Sequence, residues 1–435
     1  MAVFCNQCQQ TLGGVACTKS GVCGKNPDVQ SLQENLLYSL KGISAYAYHA
    51  RELGHTDPEV DAFLAEGLYS TLTNVDFDLE RFLELNLKAG EMTLKVMGLL
   101  RRAHVEAFGE MQPVEVPTGT FRGHGIVVTG HNLKALYELL RQTEGKGINV
   151  YTHSELLPAH AYPKLHAFSQ LKGNLGKSWT DQRTLFKEFP GAILGTSNCV
   201  LTPLPEYRDR MFTSGIAGLP GVKHLDGYDF TPLIETALSL PELPEVPGET
   251  TLVTGFSDTN VLPLADKIIA AVKEGKIRRF FLVGGCDAPG RDREYYREFV
   301  RLAPQDTVIL TLACGKFRFN DLDLGTIDGL PRLIDLGQCN DALSATKIAG
   351  ALAEAFGCTV NALPLTLVLS WMEQKAAAIL MSLFALGIKG IYLGPTVPAW
   401  LTPNVIATLQ KEFDLRLTGE ARSDLAKMLG EPTSA

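Results

Sequence analysis

The chain has 435 residues, of which 45% are hydrophobic and 20% charged, and a formal net charge of −8. This length favours two or three globular domains, and the acidic balance argues against a nucleic-acid-binding protein, which needs a basic face. The longest apolar run, residues 376–388, is too short to span a bilayer, and the first residues do not resemble a signal peptide. We therefore expect a cytoplasmic protein that has neither nucleic acid nor membrane as a partner.

Four of the nine cysteines are crowded at the start of the chain, at Cys5, Cys8, Cys17 and Cys23. Thiols stay reduced in the cytoplasm, and the odd total also argues against disulfides. The spacing Cys-x2-Cys-x8-Cys-x5-Cys lacks the paired knuckles typical of structural zinc. Nearby glycines would let backbone amides approach sulfur, as around iron–sulfur clusters. The spacing favours iron–sulfur over zinc, and zinc remains open at this point.

Residues 28 to about 112 lack a strand pattern and predict helices. Apolar residues spaced by three and four predict a first helix over 31–54 that stops at Gly54. The same spacing continues through 61–109, and we expect a break near Ala89-Gly90. The proline-bearing segment 110–125 then ends the helical region.

Beyond this point short β-rich runs alternate with amphipathic helical patterns. The predicted strands lie in "GIVVTG", "INVYT", "GAILGTSN", "TTLVTGF", "RRFFLVGG", "DTVILTLA", "RLIDLGQ" and "LPLTLVLSW". A proline-rich linker, "LPELPEVPGE", precedes "TTLVTGF", which echoes "GIVVTGH" and suggests two related folds. We predict a multidomain α/β protein: an N-terminal helical domain (1–115) carrying the four cysteines, then two Rossmann-like α/β domains (116–245 and 246–435) with mostly parallel sheets.

Potential metal ligands follow many of these strands. They are His131, Glu155, Cys199, Cys286, Cys314, Cys339 and Glu373. Each has an ordinary explanation when taken alone, but active sites assemble beyond the carboxyl ends of parallel strands. Thiolates, an imidazole and carboxylates together exceed a mononuclear zinc site and fit a polynuclear iron centre of mixed sulfur and oxygen character. We expect one site shared by both α/β domains, and interpret Cys358 as an ordinary buried thiol.

The chain resembles the hybrid cluster proteins, also called prismane proteins or hydroxylamine reductases, which are distant relatives of the nickel carbon monoxide dehydrogenases. The resemblance runs end to end and rests on long motifs in order. These are "FCNQCQQT", "ACTKSGVCGK", "VTGHNLKALYELLRQTEGKGINVYTHSELLPAHAYPKL", "TSNCVLTPLPEYRDRMFTSG", "FFLVGGCDAPGRDREYY", "LACGKFRFNDLDLGTIDGLPRLIDLGQCNDALSA" and "LVLSWMEQKAAAILMSLFALGIKGIYLGPTVPAW". The chain is shorter than many members and resembles a subclass with a reduced helical domain.

The resemblance implies two clusters. Cys5, Cys8, Cys17 and Cys23 match the ligands of a 4Fe-4S cluster. The seven residues that follow strands match the ligands of the hybrid 4Fe-2S-2O cluster, and Cys286 corresponds to a cysteine that members carry as a persulfide. Lys375 matches a lysine near that cluster, and His153, Glu155 or Lys375 could supply protons.

The activity that the resemblance implies is reduction of hydroxylamine, or of nitric oxide, with a role in nitrosative stress. Electrons would enter through the 4Fe-4S cluster from an external donor protein, either ferredoxin-like or an NADH-dependent reductase, because no Gly-x-Gly-x-x-Gly follows a predicted strand. One alternative is a carbon monoxide dehydrogenase-like nickel–iron enzyme, against which the carboxylates of Glu155 and Glu373 argue. Another is a redox sensor or protein S-nitrosylating factor that uses Cys286.

Overall fold

The structure is a computed structural model that describes residues 4–432. The chain forms two compact units, which we call the helical unit (Met1–Ala103 with Gly357–Ala435) and the central unit (His104–Phe356). The three domains expected at 1–115, 116–245 and 246–435 stay a prediction. Among the described residues, no helix combines the length and apolarity needed to cross a membrane.

The order of helices and strands agrees with a helical start followed by α/β structure. The helices are α1 Pro27–Glu52, α2 Pro58–Ser70, α3 Leu79–Phe108, α4 Leu133–Thr143, α5 Pro163–His166, α6 Gln182–Glu188, α7 Pro205–Arg208, α8 Thr231–Ser239, α9 Asp258–Val261, α10 Ala265–Lys273, α11 Glu294–Leu302, α12 Ala342–Phe356, α13 Gln374–Ala385, α14 Pro403–Phe413 and α15 Ala421–Leu429. The strands are β1 Val114–Pro117, β2 His124–Thr129, β3 Ile148–His153, β4 Leu171–Asn174, β5 Ala192–Gly195, β6 Met211–Ser214, β7 Lys223–Leu225, β8 Thr251–Thr254, β9 Arg279–Gly285, β10 Thr307–Thr311, β11 Thr326–Ile327, β12 Leu330–Pro331, β13 Leu333–Asp335, β14 Leu365–Ser370, β15 Tyr392–Gly394 and β16 Arg416–Leu417.

The first helix of the helical unit has clear start and stop signals. The Asn26 side chain accepts a hydrogen bond from the Val29 N–H at 2.8 Å, and Pro27 opens the helix. The helix ends at Glu52, shortly before Gly54, which has the left-handed φ of 87° typical of a helix end. The predicted stop at Gly54 is confirmed.

The predicted break near Ala89-Gly90 is wrong, because α3 continues without interruption from Leu79 to Phe108. Gly90 is needed for close packing: a Cβ there would lie only 2.2 Å from the carbonyl oxygen of Met381 in α13. Gly42 of α1 plays a similar part, since its Cβ would lie 2.8 Å from that of Ala378. These glycines let α1 and α3 approach α13 closely. This unit also holds the parallel strands β14-β15-β16.

The first sheet of the central unit has six parallel strands in the order β4-β3-β2-β5-β6-β7. The sheet starts in its middle at β2, grows outward to β4, and then reverses direction at β5. This is the doubly wound order, in which ligands bind where the order reverses. The Rossmann-like prediction is confirmed for this sheet.

A second set of parallel strands in the central unit is formed by β9, β10 and β13. The echo between "TTLVTGF" and "GIVVTGH" does not mark equivalent strands, because β8 pairs antiparallel with β1 in a separate two-stranded sheet. Burial explains the difference: residues alternate between exposed and buried along β8, whereas five of the six residues of β2 are buried. Alternation is typical of an antiparallel strand with one face in solvent.

Candidate metal centre

The first pair of candidate ligands follows the central strands of the first sheet. Strands β2 and β3 pair with Thr129 opposite His153, and the same register continued two residues further places His131 opposite Glu155. The His131 Nε2 atom lies 3.8 Å from Glu155 Oε2, and both side chains are buried. The Ser197 hydroxyl lies 2.9 Å from His131 Nδ1 and orients the ring. The strand register therefore brings these two side chains together.

The turns after these strands use left-handed backbone conformations. Gly130, directly before His131, has φ 119°, and a Cβ there would lie 2.4 Å from Thr196 Oγ1. Residues other than glycine take positive φ beside three further candidates: Ser154 (54°), Cys199 itself (64°) and Ala313 (64°). Such conformations cost about 1–3 kcal/mol each for a residue with a side chain and cluster at functional sites. No pattern in the sequence marks these three positions as left-handed.

The second group of candidates follows the parallel strands β9, β10 and β13. Strands β9 and β10 pair with Leu282 opposite Leu310; Cys286 directly follows β9, and Cys314 comes three residues after the end of β10. Cys339 begins a short 3₁₀ helix after β13. All three cysteines thus lie beyond the carboxyl ends of neighbouring parallel strands, as the sequence predicts.

Contacts between the two groups converge on Glu155. Its Oε2 atom accepts a hydrogen bond from the backbone N–H of Cys339 at 3.0 Å, and its backbone carbonyl accepts one from Gln338 Nε2 at 2.6 Å. Ligand atoms of His131, Glu155 and Cys339 all lie within 4.8 Å of one another. These three buried residues could hold one metal ion between them.

Two further sulfurs adjoin this group. The Cys314 thiol hydrogen-bonds with Cys199, and the Ser154 hydroxyl lies 3.5 Å from the Cys314 sulfur. The hydrogen bond with Cys199, then burial, then the charge of Glu155 raise the pKa of Cys314. A bound metal would reverse this effect, because a nearby cation stabilises a thiolate. The mixture of imidazole, carboxylate and thiolate donors fits an iron–sulfur–oxygen centre.

Two ion pairs that the sequence pattern did not predict, one fully buried and one partly buried, fix the loops that carry the cysteines. Lys316 Nζ lies 2.8 Å from both Asp335 carboxylate oxygens and joins the Cys314 loop to the end of β13. Asp287, next to Cys286, accepts hydrogen bonds from Arg318 Nε at 2.8 Å and from the Ser178 hydroxyl at 2.5 Å. The signal for Asp287 in the sequence is its adjacency to a candidate ligand.

A cavity of about 800 Å³, lined by both polar and apolar residues, adjoins the Cys286 loop within the central unit. Ser178, Asp287 and Arg318 contribute to its wall. The cavity offers room for a small polar molecule beside the loop of the candidate persulfide.

The four N-terminal cysteines lie in one loop of the helical unit. Cys5 and Cys17 pair through two backbone hydrogen bonds of 3.1 and 2.8 Å. Backbone N–H groups of Val22 and Leu12 donate to the Cys17 sulfur and lower its pKa. Such N–H···S bonds suit cysteines that bind iron–sulfur clusters as thiolates. All nine cysteines of the chain are free thiols.

Glu373 and Lys375 belong to the helical unit, where they lie between β14 and the first turn of α13. The Glu373 carboxylate accepts a hydrogen bond from the Lys375 N–H at 3.1 Å, and Lys375 Nζ lies 3.8 Å from it. Lys375 is only 4% exposed, so it is not an ordinary surface lysine. The Lys375 ammonium group could therefore interact with other buried polar side chains.

Two other candidates have different surroundings. His153 is fully buried, its Nδ1 atom lies 2.9 Å from the Thr129 hydroxyl, and burial lowers its pKa to about 3. A neutral imidazole can relay a proton through its two nitrogens. Cys358 is half-buried after the end of α12, so the expectation of a buried thiol is met only in part.

The fold and the donor set together define an α/β protein with a buried group of imidazole, carboxylate and thiol side chains that could hold a metal. The Prismane/CO dehydrogenase family model matches residues 3–86 and 80–426. The chain belongs to this family and is an oxidoreductase of it.

Curated relatives match over nearly the full length. The chain is 61% identical to a hydroxylamine reductase of Thermotoga maritima over 429 residues, 99% of this chain and 100% of the relative. A hydroxylamine reductase of Moorella thermoacetica is 61% identical over 428 residues, 98% of this chain and 100% of the relative. Among solved structures, carbon monoxide dehydrogenase IV from Carboxydothermus hydrogenoformans covers 99% of this chain and 92% of its own, with a TM-score of 0.78 and 15% identity. That likeness shows the fold.

Proposed function

We propose that the protein reduces hydroxylamine to ammonia and water at a hybrid 4Fe-2S-2O cluster. One observation carries this proposal: the buried group of His131, Glu155 and Cys339, adjoined by the sulfurs of Cys199 and Cys314. This donor set mixes the soft ligands of iron–sulfur clusters with the hard ligands of iron–oxygen centres. The high identity to relatives named hydroxylamine reductase supports the same substrate, and nitric oxide is the other candidate.

The reaction breaks the N–O bond with two electrons and two protons: NH₂OH + 2e⁻ + 2H⁺ gives NH₃ + H₂O. When bound, the cluster supplies an open iron position and the electrons. In this proposal His131, Glu155, Cys199, Cys314 and Cys339 hold the cluster, together with Cys286 as a persulfide and Glu373 as the seventh ligand. Lys375 Nζ is the proposed proton donor, and His153 and Glu155 are alternatives.

Electrons enter, in this proposal, through a 4Fe-4S cluster held by Cys5, Cys8, Cys17 and Cys23. A separate protein supplies them, either ferredoxin-like or an NADH-dependent reductase. The N–H···S bonds to Cys17 support a cluster in this loop. Location in the cytoplasm stays a prediction.

The metal content tests the cofactors. Protein purified without oxygen should contain about eight irons in two paramagnetic centres, each with its own electron paramagnetic resonance signal. Stoichiometric nickel would support the carbon monoxide dehydrogenase-like alternative instead, and zinc without iron would refute both.

Substitution of Glu373 tests where the reaction occurs. We expect Glu373→Ala to reduce hydroxylamine turnover by at least two orders of magnitude, because an iron ligand is lost, while the signal of the N-terminal cluster persists. The exposed Glu412→Ala, in the same unit, serves as the control and should keep full activity. Unchanged turnover in Glu373→Ala would refute this assignment and favour a sensor role for Cys286.

A further inference from the structure

The loop that carries the four N-terminal cysteines exposes an unusual number of large apolar side chains. Phe4, Leu12, Val15 and Val22 are 64%, 55%, 71% and 51% exposed. Isolated exposed apolar residues are normal on a protein surface, but a group of them marks an interaction site. We call these four residues the apolar loop surface.

The four residues surround the same pair of cysteines. The N–H groups of Leu12 and Val22 both point to the Cys17 sulfur. Phe4 precedes Cys5, whose backbone pairs with that of Cys17, and Val15 lies two residues before Cys17. The apolar loop surface therefore belongs to the same loop as the thiols, with its residues close to Cys5 and Cys17.

The charge of this loop differs from that of the whole chain. Residues 4–27 contain no Asp or Glu, whereas the chain carries a net charge of −8. Lys19 is the only exposed charged side chain in this segment. The other lysine, Lys25, is buried, and its ammonium group donates hydrogen bonds to Gln30 and Gln33. Because this segment carries lysine and no acidic side chain, it should repel an acidic partner less than an average part of this acidic chain does.

We infer that the apolar loop surface is the docking site of a small, acidic, one-electron carrier protein that exposes its redox group within an uncharged edge. The inference rests on the proposed function, because it assigns this loop as the point of electron entry. Each docking transfers one electron: the carrier is oxidised and the N-terminal cluster reduced. Two such transfers supply the pair that cleaves one N–O bond. A surface of four side chains fits the small, weak interfaces of transient electron transfer, well under 1,200 Å².

The test is the rate at which a reduced bacterial two-cluster ferredoxin bleaches the iron–sulfur absorbance of the anaerobic protein, followed by stopped flow without hydroxylamine. Each rate is divided by the rate with dithionite, which needs no docking surface. We expect Val15→Asp to lower this ratio at least tenfold, and Val15→Lys to raise it at low ionic strength. Ile216→Asp in the central unit, where Ile216 is 68% exposed, is the matched control and should change the ratio less than twofold.

Three results would overturn the inference. They are equal ratios for Val15→Asp and Ile216→Asp, a loss of the cluster absorbance in Val15→Asp, or a wild-type dimer in sedimentation that Val15→Asp dissociates. The last result would mean that a second copy of the chain covers this surface. Failure of the proposed function is separate: Val15-dependent reduction by ferredoxin without any turnover of hydroxylamine would refute the substrate and leave the docking site in place.

Discussion

A buried ion pair between Lys316 and Asp335 holds two loops of the candidate centre in place. Lys316 is fully buried, Asp335 is 2% exposed, and the lysine also donates to the Gly337 carbonyl at 2.9 Å. Asp335 in turn accepts a hydrogen bond from the Gly337 N–H at 3.0 Å. Because Gly337 leads into Cys339 and Lys316 follows Cys314, this pair couples the positions of two candidate ligands.

Removing Lys316 alone should lower the free energy of unfolding by more than the ion pair contributes to it. We expect Lys316→Met to lower the free energy of unfolding by about 3–5 kcal/mol, because Asp335 stays buried without its cation. The double variant Lys316→Met/Asp335→Asn should recover part of that loss. Guanidinium denaturation and iron content are the measurements.

The exposed ion pair Lys276–Asp328, with an N–O distance of 2.7 Å and both side chains 47% exposed, provides the control. We expect Lys276→Met to change stability little, since water screens this pair. Equal losses in Lys276→Met and Lys316→Met would contradict the role given to the buried pair.

At the scale of whole elements, close contacts between helices organise the helical unit. The two glycines at the α1–α13 and α3–α13 contacts lie where a side chain would collide with the facing helix. Glycine is therefore tolerated inside these long helices, because close packing against α13 compensates for its low helix propensity.

Two glycine substitutions test this packing, because they should change the free energy of unfolding in opposite directions. Gly90→Ala should lower the free energy of unfolding by about 1–3 kcal/mol, because the methyl group meets the Met381 carbonyl and pushes α3 from α13. Gly350→Ala in α12, where a Cβ meets nothing within 4 Å, should raise it by about 0.5–1 kcal/mol through helix propensity alone. Denaturation midpoints measure both, and stabilisation by Gly90→Ala would show that the helices are not in close contact there.

At the scale of the whole molecule, a buried histidine makes folding sensitive to acid. His160 is 4% exposed, its Nε2 atom lies 2.9 Å from the Thr152 hydroxyl, and its carbonyl lies 3.1 Å from Nδ1 of His166. Burial, and to a lesser extent the charge of His166, lower its pKa from 6.5 to about 3. The folded protein therefore keeps this ring neutral at pH values where the unfolded chain protonates it.

The sign of the pH dependence follows from this difference. Stability from the neutral ring is present above pH 6.5 and is lost as the pH falls towards 3, by up to about 1.4 kcal/mol per pH unit. We expect His160→Gln to reduce the slope of unfolding free energy between pH 4.5 and 6.5, measured by guanidinium denaturation under nitrogen. Loss of the clusters in acid affects both proteins alike, so identical slopes would contradict a neutral His160.

Alternation of short strands and helices predicted most of the α/β fold. The predicted strands all formed, although β8 pairs antiparallel with β1, and the register of β2 with β3 explains why His131 and Glu155 meet. Strands such as β4 ("LKGN") and β6 ("MFTS") were missed, because neither contains valine or isoleucine, which are strong strand formers. The prediction failed at Gly90, where the reason for glycine is a contact with a residue almost three hundred positions away.

By itself, the sequence determined which residue types follow each strand, since chain order alone places a cysteine, histidine or glutamate after a β-rich run. It also determined that the cysteines crowd into one segment and that residues 4–27 contain no acidic side chain. Only the tertiary structure decided that Glu155 contacts both His131 and Cys339, that Lys316 is buried against Asp335, and that apolar side chains stay exposed in the loop of Cys17. The physical reason is that burial and charge pairing depend on neighbours that are distant in the chain, and folding alone brings them together.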